Sequence, residues 1–393
     1  MKKHILFIFK SDGIGGVEVV NAVLANKFVC EGHDVSIFLF LRREKNIVDR
    51  LDKRIKLYYG NGFKCSFFNK KMLSTIIEER EIDLVLNEWG LPLIPIFLLN
   101  GIKGKKNFSI VSIYHNAPNA NGRLKNVEQK LSVAKNPFQR FWLRGKYFFV
   151  RSITAMSMRY NYRHCDYYQV LSSAYIDVFK QFTGLKDKRQ KLLVQTNPVT
   201  ISNEGFDYDF NKKQKEIVYV GRLDNVQKCV GRIVDVWSKL ESQFQDWNLT
   251  IVGGGKDEIF LKEKAKRLNL KRISFEGYQY PKSYYERASV LLLTSDFEGF
   301  PLVLAECMSF GVIPFVYDSF AALHDIVKDG ENGVIFPKVN NEFSVENAVN
   351  KIIPILSDET LLQQMALSAV ETSKEYSVDS IYHQWKLLFK KLK

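Results

Sequence analysis

Short apolar runs alternate with helix-like stretches along almost the whole chain, and they do so in two series. The first series holds HILFIF, DVSIFLF, IDLVL and FSIVSIY, separated by segments such as residues 16–30 and 70–80. The second begins after residue 200 with EIVYVG, LTIVGG, ISFEG, VLLLTS, VIPFVY and GVIFP. Strands alternating with helices imply βαβ units and a parallel sheet. Two series imply two doubly wound α/β domains, and 393 residues are enough for two domains of roughly 150–200. The join is expected in residues 202–215, a polar stretch without a clear period.

Charge narrows the partners. The chain carries 57 Lys and Arg against 43 Asp and Glu, a formal net charge of +14. That balance suits a phosphorylated ligand, a nucleic acid or an anionic lipid surface, without choosing among them. The opening MKKHILFIFKSDG has too short an apolar run for a secretory signal and reads as a first buried strand. WGLPLIPIFLLNG, residues 89–101, is too short for a span of about 20 residues and reads as a buried helix. Five scattered cysteines with no C-x-x-C argue for reduced thiols in a cytosol, against a disulfide frame and a zinc site.

Doubly wound sheets bind ligands beyond the carboxyl ends of their strands, so chemistry is sought there. Four strand ends stand out. After ILFIF, Gly13, Gly15 and Gly16 open a helix running from Val17; the dinucleotide fingerprint fails because Glu18 holds its third position. The loop is either a plain strand–helix turn or a place where bare backbone lets a phosphate or sugar approach. After FSIVSIY comes His115 beside Asn116, a residue type more often structural than catalytic. After EIVYV, Arg222 and Lys228 flank a loop: either a solvated rim or a clamp for a diphosphate. The triple glycine at 253–255 reads as a turn.

The fourth end, SDFEGFPLVLAECMSFG, has no Lys or Arg. Pro301 suits the first turn of a helix over residues 302–310, which Gly311 would end. Glu298 then lies in the loop and Glu306 about a turn and a half into the helix. Backbone N–H groups of Gly299, Phe300 and Leu302 would form an anion site, Pro301 offering no donor. The plain alternative has both glutamates complementing the helix dipole, which fits Glu298 better than Glu306 because the effect fades beyond the first turn. A carboxylate at 306 is better used as an acceptor for vicinal hydroxyls.

Together these motifs resemble the family-4 glycosyltransferases, retaining enzymes of the GT-B fold that use nucleotide sugars. Glu298 and Glu306 match that family's Glu–seven residues–Glu signature, VGRLDNVQK its GRL…K element, GIGGVE its glycine loop and YHN its strand-end HN. NPV at 197–199 resembles the lead into the second domain, and HDIVKDGENGVIF the segment after the signature, with Asp325 where glutamate is commoner. The resemblance implies two Rossmann-like domains facing across a cleft: 1–200 on the acceptor side, 201–375 binding the nucleotide sugar, and a helix over 376–393 crossing back to the first domain. It implies that Glu306 holds the donor ribose. Glu298, with backbone groups of Gly299, Phe300, Pro301 and Leu302, would hold the transferred sugar and its phosphate. Arg222 and Lys228 would neutralise the departing diphosphate, Gly15 and Gly16 would line the diphosphate and acceptor site, and His115 would contact the donor sugar. The two glutamates are then expected to have sugar hydroxyls, not cations, as partners. Glu88, in LNEWG, also ends a strand and could be proposed as a nucleophile.

The expected function is retaining transfer of a hexosyl unit, with a UDP-sugar as donor, to a saccharide or lipid-linked saccharide of bacterial surface polysaccharide. Neither a metal nor a cofactor is expected, because fixed Arg and Lys can stabilise the leaving group. A basic nucleic-acid-binding protein, a sugar-nucleotide epimerase and a phosphorylase stand as alternatives. Residues 123–163 hold ten cations against Glu128 alone, with Phe138, Phe141, Trp142, Tyr147, Phe148 and Phe149 interleaved. They read either as a surface for the inner face of an anionic membrane or as a pair of core helices with solvated charges. Ile381, Trp385, Leu388 and Leu392 share one face of a final helix, with Lys386, Lys390, Lys391 and Lys393 at its end. That face is expected to pack on the first domain, with a membrane anchor as the alternative.

Overall fold

The computed structural model describes residues 2–13, 15–44, 47–104 and 106–392. The chain divides into two compact units. One is Met1–Thr200 with Ser377–Lys393, the other Ile201–Tyr376.

In the first unit the strands are β1 (His4–Ser11), β2 (Asp34–Leu41), β3 (Lys56–Tyr59), β4 (Leu84–Asn87), β5 (Ser109–Ile113), β6 (Tyr167–Val170) and β7 (Leu192–Val194). All pair in parallel, in the order β3-β2-β1-β4-β5-β6-β7. The helices of this unit are α1 (Gly16–Cys30), α2 (Phe67–Glu79), α3 (Leu93–Lys103), α4 (Gly122–Val133), α5 (Pro137–His164) and α6 (Ala174–Thr183). Ile5 to Ile8 are fully buried, as a strand covered on both faces must be. β3, β6 and β7 are absent from the pattern of apolar runs. They are three or four residues long, and β3 and β7 form the sheet edges, where half-exposed side chains leave no continuous apolar signal. The segment at 89–101 yields α3, whose Ile96, Leu98 and Leu99 are buried while Leu93 and Phe97 face solvent.

The second unit contains β8 (Gln214–Val220), β9 (Asn248–Val252), β10 (Ile273–Gly277), β11 (Ala288–Leu293), β12 (Ile313–Tyr317) and β13 (Val334–Phe336). They too are all parallel, in the order β10-β9-β8-β11-β12-β13. Helices α7 (Val230–Leu240), α8 (Glu258–Arg267), α9 (Lys282–Arg287), α10 (Leu302–Met308), α11 (Leu323–Ile326), α12 (Val345–Leu356) and α13 (Glu359–Ser373) complete it. α10 stops at Met308, two residues short of the expected end, and the chain turns at Gly311 with φ +72°.

The chain then returns to the first unit as α14 (Val378–Lys391), which packs on α1. Phe28 of α1 meets Tyr382, Trp385 and Phe389 at ring-centroid distances of 5.9, 5.7 and 5.4 Å. Ile381, Trp385, Leu388 and Leu392 are all buried, so this face is not an anchor. Lys393 lies outside the described residues.

Candidate active site

Strand order reverses between β8 and β11 in the second unit and between β1 and β4 in the first. Ligands of doubly wound sheets bind beyond the carboxyl ends at that reversal. In the second unit the reversal brings the loop after β8, residues 221–229, beside the loop after β11, residues 294–301.

The two loops are tied by named bonds. Lys228 Nζ donates to Glu298 Oε1 at 2.6 Å, and the pair's side chains keep only 18% and 7% of their exposure. Gln227 Nε2 donates to the Phe297 carbonyl, while its Oε1 accepts from Arg222 Nη2 at 3.0 Å. Asp296 N–H donates to the Gln227 carbonyl, and Arg232 donates to the Asp296 carboxylate at 2.6 Å and to the Thr294 carbonyl at 3.0 Å. The expectation that Glu298 has no cationic partner is therefore corrected. Its cation comes from 70 positions away, and only the pairing of β8 with β11 brings the two together.

Arg222 is 3.5 Å from the Asp224 carboxylate, and its side chain is 58% exposed. Asp224 caps its own loop, accepting from Val226 N–H at 2.7 Å and Gln227 N–H at 3.1 Å. Burial works to raise its carboxyl, but those donors and Arg222 outweigh burial and hold it below the usual range. Cys229, which follows Lys228, sits at φ +51°, a conformation a non-glycine residue holds only when its surroundings enforce it. The glycines after β9 clamp the same loop from below. A Cβ on Gly253 would come within 1.8 Å of the Gly221 carbonyl oxygen, so no larger residue fits. The turn at 253–255 thus exists to seat the loop that carries Arg222.

Glu306 is 5% exposed, as is Glu298, so neither is a solvated complement to the helix dipole. Burial, and then the neighbouring Glu306 carboxylate, hold the Tyr285 phenol well above its ordinary value. Gly299, Phe300, Pro301 and Leu302 form the turn from the Glu298 loop into α10, with Phe300 packed on Tyr376 at 5.4 Å.

The first unit assembles its own cluster. His115 follows β5 and Glu88 follows β4, and His115 Nε2 lies 2.8 Å from Glu88 Oε2 with both side chains buried. His115 Nδ1 and Glu88 Oε1 have no hydrogen-bond partner among the described residues. Glu18 joins them electrostatically. Burial raises its carboxyl above the ordinary value and Glu88 adds to the rise, while its own backbone N–H and His115 oppose it. Gly15 is the N-cap of α1 in an extended conformation, and the helix starts at Gly16, one residue earlier than expected. None of Gly13, Gly15 and Gly16 takes a left-handed φ. A Cβ on Gly15 would meet Glu18 Oε2 at 2.6 Å, so the bare backbone lets that carboxylate lie against the loop. The glutamate that spoils the dinucleotide fingerprint is thus part of the site. Gln227, Asp224, Glu18 and Tyr285 are the residues the strand-end reading passes over, because each acts through a neighbour the sequence does not show.

Comparison with known proteins fits this geometry. Residues 201–371 match the family model described as Glycosyl transferases group 1. An uncharacterised glycosyltransferase of Haemophilus influenzae is 27% identical, the match covering 98% of this chain and 99% of that one. The Campylobacter jejuni enzyme named GalNAc-alpha-(1->4)-GalNAc-alpha-(1->3)-diNAcBac-PP-undecaprenol alpha-1,4-N-acetyl-D-galactosaminyltransferase is 25% identical, over 99% of each chain. Among solved structures, Anabaena Alr3699/HepE in complex with UDP and glucose superposes with a TM-score of 0.72, at 15% identity, covering 99% of this chain and 100% of that one. Residues 201–371 are therefore a glycosyl transferases group 1 domain, and the chain that carries it is a glycosyltransferase of the GT-B fold.

Proposed function

We propose that this glycosyltransferase moves a hexosyl unit from a UDP-sugar to a saccharide or lipid-linked saccharide, with retention of configuration and without a metal. The Lys228–Glu298 pair at the β8/β11 reversal carries the reading. Lys228, held by that loop carboxylate, is poised to exchange it for a phosphate oxygen. The carboxylate so released accepts hydroxyls of the transferred sugar. Support for the donor comes from the UDP and glucose in the Anabaena structure, and for the acceptor from the undecaprenol-linked substrate in the Campylobacter enzyme's name.

In this mechanism cleavage of the anomeric bond puts negative charge on the diphosphate, which Arg222 and Lys228 neutralise together with the backbone at Gly299 to Leu302. Glu306 holds the ribose hydroxyls. The acceptor hydroxyl attacks from the face the diphosphate leaves, its proton passing to the departing phosphate oxygen. His115, oriented by Glu88, contacts the donor sugar, and Gly15 and Gly16 line the acceptor side. Glu88 is spoken for by His115 and is not used as a nucleophile.

The test is transfer from a panel of radiolabelled UDP-hexoses to polyprenyl-diphosphate-linked and free oligosaccharides, in EDTA. Formation of an α-linked product from an α-linked donor is expected. A product of inverted configuration would reject the same-face mechanism. Loss of transfer in EDTA that magnesium or manganese restores would reject the metal-free one.

A further inference from the structure

Helix α5 has two apolar faces, and the fold uses one. Leu143 packs with Val127 and Ala134, joined by Leu131 and Tyr147, which fixes α5 against α4. Farther along, Thr154 and Met158 are buried on the same side. On the opposite side stand Phe138, Phe141, Trp142, Phe148, Phe149 and Met156, each between 58% and 79% exposed. Their spacing of 0, 3, 4, 10, 11 and 18 residues puts all six within one helical stripe about 27 Å long. The reading of α4 and α5 as core helices fails for these rings, since the core contacts lie elsewhere.

Charge says what meets the stripe. On a helical wheel Arg144 borders the stripe on one side and Lys146 on the other, its ammonium 5.2 Å above the Trp142 ring, while Arg151 turns toward the packed side, its guanidinium 5.0 Å from the Phe182 ring. The one acid of residues 123–163, Glu128, is on α4 and is held by Lys125 at 2.7 Å. A second copy of the chain would bring two cationic borders together, which disfavours self-association. An aromatic stripe bordered by cations matches a surface with phosphates outside and acyl chains beneath, where aromatic rings and long basic side chains settle at the boundary. Among the described residues no helix is long and apolar enough to cross a membrane, so α5 would lie on the surface, not span it.

We propose that the outward face of α5 docks on an anionic lipid bilayer, with its aromatic stripe at the headgroup–acyl boundary and Arg144 and Lys146 on headgroup phosphates. This does not rest on the transfer reaction. It is tested on the full chain by cosedimentation with phosphatidylcholine vesicles, pure or containing about one-third phosphatidylglycerol. Each cation near such a surface favours binding by about fivefold, so with Arg144 and Lys146 engaged the anionic vesicles should bind roughly 25-fold tighter. Replacing Phe141, Trp142, Phe148 and Phe149 by Ser should weaken binding at least tenfold with little change in melting temperature, because the four rings are exposed and give up only the edge contact of Phe148 with Tyr147 and that of Trp142 with Lys146. Replacing Arg144 and Lys146 by Gln should erase the preference for anionic vesicles. Lipids brominated near the headgroup should quench a fluorescence component that Trp142→Phe removes. Equal binding to both vesicles, wild-type binding by the Ser variant, or a lipid-free dimer that the Ser variant dissolves would each overturn the proposal. Transfer to a soluble acceptor, measured alongside, reads the chemistry separately.

Discussion

Lys228 is asked to hold Glu298 in the free protein and a phosphate during transfer, and the two duties can be separated by mutation. Lys228→Met leaves a carboxylate buried without its cation. A fully buried pair broken this way costs roughly 3–5 kcal/mol, and partial exposure of Lys228 brings the expected loss to about 2 kcal/mol. Turnover should fall by roughly 10²-fold, as when a transition-state charge partner is lost. Adding Glu298→Gln should restore most of the stability, because the orphaned charge is gone, but none of the activity. A double variant that melts and turns over like wild type would sink both roles. Lys213 offers a different kind of test. Burial pushes its ammonium down to about 7, against the pull of Cys307, Glu286 and Glu216. Its Nζ donates to the Tyr285 carbonyl at 2.7 Å, and the Phe206 and Tyr208 rings 5.7 and 5.9 Å away temper the depression without cancelling it. Between pH about 7 and about 10 the unfolded chain holds this proton and the folded one does not. Unfolding therefore takes up a proton in that window, and stability should rise with pH across it. Lys213→Met should flatten that rise in melting curves recorded from pH 7 to 10; an unchanged slope would mean the lysine stays charged in the fold.

At the scale of elements, legibility followed burial. β1, β2, β8 and β11 are covered on both faces, and a strand so placed is an unbroken apolar run that needs no partner to be recognised. β3 and β7 lie on the sheet edges and β6 mixes Tyr with Gln, so their strand character comes from neighbours and not from their own residues. The site divides the same way. Glu298, Glu306, Arg222, Lys228 and His115 were legible as chemistry at strand ends. Their connections were not, since the contact of Lys228 with Glu298 depends on which strands adjoin, and alternation alone leaves that order open. The glycines after β9 show how an element carries a site it does not touch. Gly253→Ala would press a methyl on the Gly221 carbonyl and force an alanine to φ +141°, so a loss of at least about 3 kcal/mol is expected. If the protein still folds, the loop bearing Arg222 must shift and turnover should fall at least tenfold. Gly254→Ala is the control, its nearest atom being Glu258 Oε2 at 3.9 Å, and it should be close to neutral. Equal behaviour of the two variants would remove the clamp.

Across the whole molecule, the second unit is one continuous segment and the first is not. Residues 201–376 interrupt a unit that only the last stretch of chain completes. What α14 supplies is concentrated: Trp385 and Phe389 enclose Phe28, His33 Nε2 lies 3.0 Å from the Tyr382 hydroxyl, and Lys27 pairs with Asp379 at 2.6 Å. The ion pair is on the surface and adds little. The aromatic contacts dominate, because Trp385 is 1% exposed and truncating such a residue leaves a cavity that its neighbours fill only in part. Trp385→Ala should therefore cost about 3–5 kcal/mol, and the loss should be local to the unit it completes. Hydrogen exchange reads the two units separately in one sample. Amides of β1 and β2, whose sheet α1 covers, should lose several hundredfold in protection, while those of β8 and β9 should change far less. An equal loss in both sheets would mean that α14 stabilises the molecule as a whole. No loss in either would mean that the first unit does not need its last helix, and that Phe28 is held by the rest of its own core.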